Sequence, residues 1–407
     1  MLKDRLKQDS SKTRILFVDD EPQVLKVLQI TLRSMGADWE MVFVESGEQA
    51  LARMEQSRFD IVVSDMCMPG ISGAQLLNAV MQRYPRTIRL ILSGYADEEL
   101  VMQCVGATHQ YLMKPCNLAA LRATLKRIGH LKNRLTNEEL QTLVAKMTNF
   151  PSVPKVYFQI IEALQSPNSS IQRIADIVST DPALTVKLLQ LVNSAFFGFA
   201  SSVSDAGEAV QLLGVGRVRS LALTIHLFSA YDPATLKQVG IEQIWDHSLN
   251  TGLLARKLAA IEAQDETVME QAFTAGLLHD AGKLILAANL SDAYHSVLGQ
   301  AQQQKCPLVQ AENAAFHANH ADVGAYLLDL WGLPMPLIEA VALHHEPDKT
   351  ADSTFSPLTA VHVANALIQS NEESSAWDRP AHGLNLEYLS RLGLQDRIET
   401  WKKELIR

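Results

Sequence analysis

The sequence predicts two folds in tandem: an α/β unit on a doubly wound, five-stranded parallel sheet, then an all-helical unit. Three observations carry this. Short β-type runs alternate with amphipathic helical stretches over the first 130 residues. No strand pattern returns after Leu125. Long apolar segments with helical periodicity then follow one another to the end of the chain.

The β-type runs are Arg14–Val18, Glu40–Val44, Asp60–Ser64, Arg89–Leu92 and Gln110–Met113. Between them, Val24, Val27, Leu28, Thr31, Leu32 and Met35 repeat at helical spacing, with Pro22 near the start, where its missing N–H costs nothing. Ser46 and Gln49 read as a capping box for a second helix, and Ala74, Leu77, Val80, Met81 and Tyr84 form the stripe of a third. Thr136 and Glu139 suggest a further capping box on a linker helix, which the prolines of FPSVP (150–154) end. Asp181 and Pro182 open a helix at Ala183–Asn193. Helical periodicity follows over Val215–Phe228, Ile241–Ile261, Val268–His279, Ala321–Trp331 and Leu337–His345. Polar residues 370–382 read as a loop.

Composition excludes several classes. The chain has 407 residues, 47% hydrophobic and 20% charged, as ordinary globular proteins do. A formal charge of -9 argues against a broad nucleic-acid-binding face, and no helix-turn-helix signature follows the α/β unit. The basic cluster Arg122, Lys126, Arg127, Lys132 and Arg134 reads as a solvated helix face. Four cysteines (Cys67, Cys104, Cys116, Cys306) form no C-x-x-C pair, which fits a reducing compartment. No apolar run reaches the ~18 residues of a membrane span, and the N-terminus has no signal-peptide core. The expected location is the cytoplasm.

In a doubly wound sheet, ligands bind beyond the carboxyl ends of the strands. Asp19, Asp20 and Glu21 end the first strand here, and Asp65 ends the third. Clustered carboxylates need a cation, and hard oxygen ligands select Mg²⁺. A carboxylate beside Mg²⁺ can accept a phosphoryl group. Lys114 and Ser93 end the fifth and fourth strands, where they can contact phosphoryl oxygens.

The segments ILFVDDEP (15–22), VVSDMCMPGISG (62–73), ILSG (91–94) and YLMKP (111–115) resemble the response-regulator receiver family, whose fold is flavodoxin-like. The resemblance implies Asp65 as phosphoacceptor. It implies Asp20 as a direct Mg²⁺ ligand, Asp19 through water, and the Cys67 backbone carbonyl as another ligand. Ser93 and Tyr111 become switch residues, and a sensor histidine kinase the partner. The family's switch surface joins the fourth helix, fifth strand and fifth helix, and its Lys–Pro bond (here Lys114–Pro115) is usually cis.

The helical half holds most of the chain's histidines. His247, His279 with Asp280, His320, and His344 or His345 could converge, and imidazole with carboxylate suits first-row metals. Lys283 lies one turn past Asp280, where it could hold a phosphate. FPSVPKV, DPALTVKLLQLVNSAFFG, AVQLLGVGRVRSLAL, GLLHDAGKL, HADVGAYLLDLWGLP and ALHHEP resemble the HDOD branch of the HD superfamily. HDOD domains are regarded mostly as regulatory modules, whereas the related HD-GYP branch hydrolyses cyclic di-GMP. The G-Y-P signature is missing, and Asn365 stands where the last Asp of the HD pattern would fall. Two readings stay open: an output that acts through a downstream protein partner, and a metal-dependent phosphodiesterase holding Fe or Mn. The expected layout is a flexible N-terminus at 1–11, a receiver at 12–130, a linker helix at 131–149, an HDOD-like domain at 150–370 and a C-terminal extension at 371–407. No nucleic acid or membrane partner is expected, and a homodimer is an open option.

Overall fold

The computed structural model describes residues 12–33, 39–93, 108–114, 118–135, 137–146, 163, 170–179, 206–215, 218, 241–330, 335–371 and 383–406. The chain divides into two compact units. One holds the residues up to Arg134 with the 138–146 helix, and the other the helices from residue 163 onward.

In the first unit, β1 (Thr13–Val18), β2 (Trp39–Val44), β3 (Ile61–Asp65), β4 (Ile88–Ser93) and β5 (Gln110–Met113) are parallel, in the order β2-β1-β3-β4-β5. β3 is buried along its whole length and β1 over its last four residues, which is why both read as continuous apolar runs. The strand order reverses between β1 and β3, so the crevice beyond their carboxyl ends is the natural place for a ligand.

Helices α1 (Pro22–Leu32), α2 (Gly47–Gln56) and α3 (Gly73–Arg83) connect the strands. Ser46 caps α2 by accepting from the Gln49 N–H at 3.3 Å. The Gln49 amide accepts from Glu45 rather than from Ser46, so the expected box closes one residue early. The full reciprocal box is Ser72–Gln75 at α3, which periodicity alone does not pick out. Buried Leu76, Leu77 and Val80 of α3 and Met54 of α2 pack on Leu16, Val62 and Ile91 of the sheet.

The linker departs from a single helix over 131–149. Helix α4 (Leu118–Arg134) runs on to Arg134, and a separate helix α5 (Glu138–Lys146) begins four residues later. Two cations hold α5 to this unit: Arg86 pairs with Glu138 at 2.8 Å, and buried Arg89 of β4 donates to the Ala145 carbonyl at 3.0 Å. Arg122 of the basic cluster donates to the Thr31 carbonyl, so that part of the face is structural. Residues 94–107, where the resemblance puts the fourth helix of the switch surface, and Pro115 lie outside the described residues, as do Thr136 and FPSVP.

The second unit is helical throughout its described residues. Its helices are α6 (Ile171–Ser179), α7 (Ala206–Leu213), α8 (Ile241–Glu262), α9 (Glu266–Leu278), α10 (Ala281–Asn289) and α11 (Ser291–Gln304). They continue with α12 (Leu308–Phe316), α13 (His320–Leu330), α14 (Met335–Leu343), α15 (Pro357–Asn371), α16 (Leu386–Arg391) and α17 (Ile398–Ile406). The helix expected at 183–193 lies outside the described residues, as does most of 215–228. Residues 386–406, read from sequence as part of an extension, pack onto this unit and give its core Tyr388, Leu389 and Trp401. Trp401 is fully buried, and its indole N–H reaches Glu262 of α8 at 2.9 Å.

Two close approaches set the geometry of the helical unit. A Cβ on Gly276 of α9 would lie 2.6 Å from the Gly252 Cα of α8, so these helices cross nearly backbone to backbone. A Cβ on Gly282 would lie 1.9 Å from the His320 carbonyl oxygen, so the start of α10 rests on the start of α13. Gly282→Ala therefore forces backbone apart and is expected to lower the stability of the helical unit by at least the roughly 1–3 kcal/mol of an overpacked core. Gly299→Ala, in the middle of α11 with nothing within 4 Å, is expected to raise it by about 0.5–1 kcal/mol. Thermal melts of the two variants should shift in opposite directions.

Candidate functional site

The first site is built by strand register. Val18 of β1 pairs with Ser64 of β3, which sets Asp19 level with Asp65 at the carboxyl edge of the sheet. Both carboxylates are buried. Lys114, just after β5, places its ammonium 3.0 Å from Asp19 Oδ2 and in direct contact with Asp65 Oδ1. The Glu21 N–H donates to Asp19 Oδ1 at 3.0 Å, tying the acid to the start of α1. Burial pushes the Asp65 carboxyl above its ordinary value, with the Lys114 contact opposing it. Burial works against the Lys114 charge, but its bonds to Asp65 and Asp19 hold its proton more firmly than usual.

The remaining residues read from sequence fall around this point. Asp20 follows Asp19, half-buried, and Cys67 lies two residues past Asp65 with its side chain exposed. Ser93 ends β4 opposite Met113, and Tyr111 pairs with Ile91, but the side chains of Ser93 and Tyr111 lie outside the described residues. The donor set is all oxygen, which is the chemistry of a hard cation such as Mg²⁺.

The second site lies in the helical unit. His247 comes from the middle of α8, and His279 and Asp280 from the break between α9 and α10. His320 opens α13, His344 and His345 follow α14, and Asn365 lies on α15. All but His345 are buried. They surround Asp280: His279 Nε2 lies 3.4 Å from its Oδ2, and His320 and His344 Nε2 lie 3.3 and 4.0 Å from its Oδ1. His345 Nε2 is 2.9 Å from His320 Nε2, so both members of the His344–His345 pair reach the cluster.

Proton positions follow from the outer partners. His279 Nδ1 faces the Gly276 carbonyl at 2.7 Å, and His344 Nδ1 faces the Val341 carbonyl at 2.7 Å. A carbonyl only accepts, so each Nδ1 carries the hydrogen and each Nε2 presents a lone pair. Those two Nε2 atoms and Asp280 Oδ1 are buried without a hydrogen-bond partner. Buried acceptors facing one another repel, and a cation between them removes the conflict. Two triads have ligand atoms within 4.8 Å of one another, His320 with His344 and His345, and His247 with His279 and Asp280; imidazole nitrogens with a carboxylate suit a first-row transition metal. On the other side of the cluster stands Asn365, where the HD pattern would place its last Asp. His247 Nε2 is 3.0 Å from Asn365 Oδ1 and 4.0 Å from Asp280 Oδ2.

Lys283, expected near a phosphate, stands 2.7 Å from Asp280 Oδ2 and is buried. Burial opposes ionisation of Asp280, but His279, Lys283 and His320 hold its carboxyl well below the usual range. Burial pushes His279 down to about 4. Burial also works against charge on His320, yet Glu312 and Asp280 raise it to about 9. A proton and a cation are thus alternative occupants of one lone pair.

Sequence reasoning missed Glu312. It is fully buried on α12, accepts from His320 Nδ1 at 2.7 Å, and accepts from the Tyr294 hydroxyl at 2.6 Å. The available signal was an acid one turn after Leu308, on the buried face of LVQAENAAF.

A protein-family model for the response regulator receiver domain matches residues 15–126, and one for the HDOD domain matches residues 150–347. An uncharacterised protein of Treponema pallidum is 26% identical over 243 residues, 57% of this chain and 46% of its own length. The response regulator protein PilR of Pseudomonas aeruginosa is 32% identical over 125 residues, 30% of this chain and 27% of that protein. A cyclic di-GMP phosphodiesterase of Thermotoga maritima is 28% identical over 149 residues, 35% of this chain and 39% of that protein. The chain therefore spans less than half the length of each of these curated relatives. A solved HDOD domain protein of Geobacter sulfurreducens shares the fold with a TM-score of 0.50, at 21% identity over 65% of this chain and 96% of that one. The chain carries an N-terminal response regulator receiver domain followed by an HDOD domain, the layout of a response regulator with an HD-like output domain.

Proposed function

We propose that this chain is a two-component response regulator in which Asp65 takes a phosphoryl group from a sensor histidine kinase and the HDOD domain relays the change to a downstream protein. The observation that carries this reading is the convergence of buried Asp19 and Asp65 on Lys114 at one sheet edge. An Asp65 carboxylate oxygen attacks phosphorus as the bond to the donor's imidazole nitrogen breaks, and the electron pair leaves with the donor. Lys114 stands where it meets the incoming phosphoryl oxygens. Mg²⁺, when bound, supplies positive charge to those oxygens; Asp19, Asp20, Asp65 and the Cys67 carbonyl would hold it.

The added phosphoryl charge of about -1.5 to -2 then biases Ser93 and Tyr111, the family's switch pair. No described helix is long and apolar enough to cross a membrane. A cytoplasmic protein acting without nucleic acid fits this reading. With Mg²⁺ and acetyl phosphate, the wild-type chain is expected to take up label, and Asp65→Asn to fall to background by phosphate-affinity gel. Equal labelling of that variant would assign the nucleophile elsewhere.

A second reading is favoured by the three buried, unpartnered acceptors around Asp280: a metal-dependent phosphodiesterase acting on a cyclic dinucleotide, the chemistry named for the Thermotoga relative. A bound Fe or Mn ion would supply an activated water there. Ligands drawn from His247, His279, Asp280, His320, His344 and His345 would hold the ion, and Lys283 neutralises Asp280. Elemental analysis of the purified chain is expected to find one equivalent of Fe or Mn, lost in His279→Ala. Metal-free protein that leaves cyclic di-GMP intact after reconstitution would remove this reading and leave the first unaffected.

A further inference from the structure

We propose that Glu312 is the positioning residue of the helical domain's cation site: through its bond to Nδ1 it orients His320 and makes that imidazole the strongest nitrogen donor of the set. The inference rests on the cation-binding reading given above and adds a residue outside the His/Asp cluster.

Glu312 is a fully buried carboxylate, and a charge taken out of water is tolerated only when donors surround it. Three donors do so here. The Tyr294 hydroxyl donates to Oε1 at 2.6 Å, while the His320 backbone N–H and the His320 ring Nδ1–H donate to Oε2 at 3.0 and 2.7 Å. Two of the three come from one histidine, so the carboxylate grips His320 by backbone and ring together.

The turn between them is built for this grip. His317 ends α12 in the left-handed conformation at φ 53°. Asn319 then caps α13, its Oδ1 accepting from the Ala321 and Asp322 N–H groups at 2.9 and 3.1 Å. The chain thus reverses within a few residues and returns His320 to the Glu312 side chain.

With Nδ1–H committed to Glu312, His320 Nε2 faces the cluster, 3.3 Å from Asp280 Oδ1 and 2.9 Å from His345 Nε2, where a cation would take the place of its proton. His279 and His344 are oriented by neutral backbone carbonyls. His320 is oriented by a carboxylate, the arrangement that fixes ring orientation and raises ligand basicity in carboxylate–histidine–metal triads.

The test is Mn²⁺ binding to the full chain, stripped with chelator and followed by titration calorimetry and by Co²⁺ absorption. Wild type is expected to bind one equivalent. Glu312→Gln, which keeps the shape and removes the charge, is expected to weaken binding by roughly 10- to 100-fold and to shift the Co²⁺ bands. In a His320→Ala background the same change should have no further effect, because Glu312 acts through that ring. Tyr294→Phe removes a donor to Glu312 without touching His320 and should weaken binding less, and it serves as the test if Glu312→Gln does not fold. Undiminished Mn²⁺ affinity and unchanged Co²⁺ bands in Glu312→Gln, or additive losses in the double variant, would overturn the role of Glu312 while leaving the site. Absence of any binding by wild type would overturn the underlying cation site as well.

Discussion

A carboxylate withdrawn from water has to be met by positive charge or by several donors, and this requirement organises both candidate sites. In the receiver, two buried acids share one lysine. Asp19 and Asp65 come from different strands, so neither could be buried there unless the Lys114 ammonium, or a cation in its vicinity, stood between them. In the helical unit the same requirement is met by Lys283 on Asp280 and by the Glu312–His320 pair beside it. Charge balance at each point is short-range, supplied by one or two side chains whose own backbone positions are fixed by element ends.

Element ends recur for a physical reason. A side chain in the middle of a buried strand or helix points into an apolar core, whereas the residue just past the end is free to turn toward a crevice. Asp19, Asp65 and Lys114 lie at or just past strand ends, and His279, Asp280, His320, His344 and His345 lie at helix ends or breaks. His247 and Asn365 are the exceptions, each inside a long helix, and they satisfy one another directly. Close helix contact at Gly276 and Gly282 brings these ends together, so two residues without side chains set distances among the histidines.

The receiver was legible because its chemistry lies on local strings. Each of DDE, SDM and MKP closes a strand whose apolar run announces it, and parallel pairing in register does the rest. The histidine cluster was legible in membership but not in roles. Nothing in the spacing of Asp280 and Lys283 says whether the lysine faces solvent, a phosphate or its own neighbour, since a three-residue helical step permits each. Glu312 was invisible for a related reason: an isolated acid in an apolar stretch usually marks an exposed face, and only the turn through His317 and Asn319 returns His320 to it. Likewise Trp401 lies far in sequence from Glu262, and burial against α8 follows from folding rather than from periodicity.

Asn365 bears most directly on what the helical domain does. A site for two cations needs anionic oxygens to offset their mutual repulsion, and it works by clamping both oxygens of a displacement. Here the position opposite His247 carries an amide, which brings no charge, and its oxygen occupies the His247 nitrogen. Lys283 meanwhile places a fixed positive charge on the Asp280 oxygen nearest to His279. Both features lower the charge available to a second ion on that side. Of the acceptors left without partners, His344 Nε2 and Asp280 Oδ1 face the His320 side, where the carboxylate partner of His320 adds negative charge. The electrostatics therefore favour one ion on the His320 side over a bridged pair. That asymmetry suits a single cation better than the paired ions of two-ion hydrolysis.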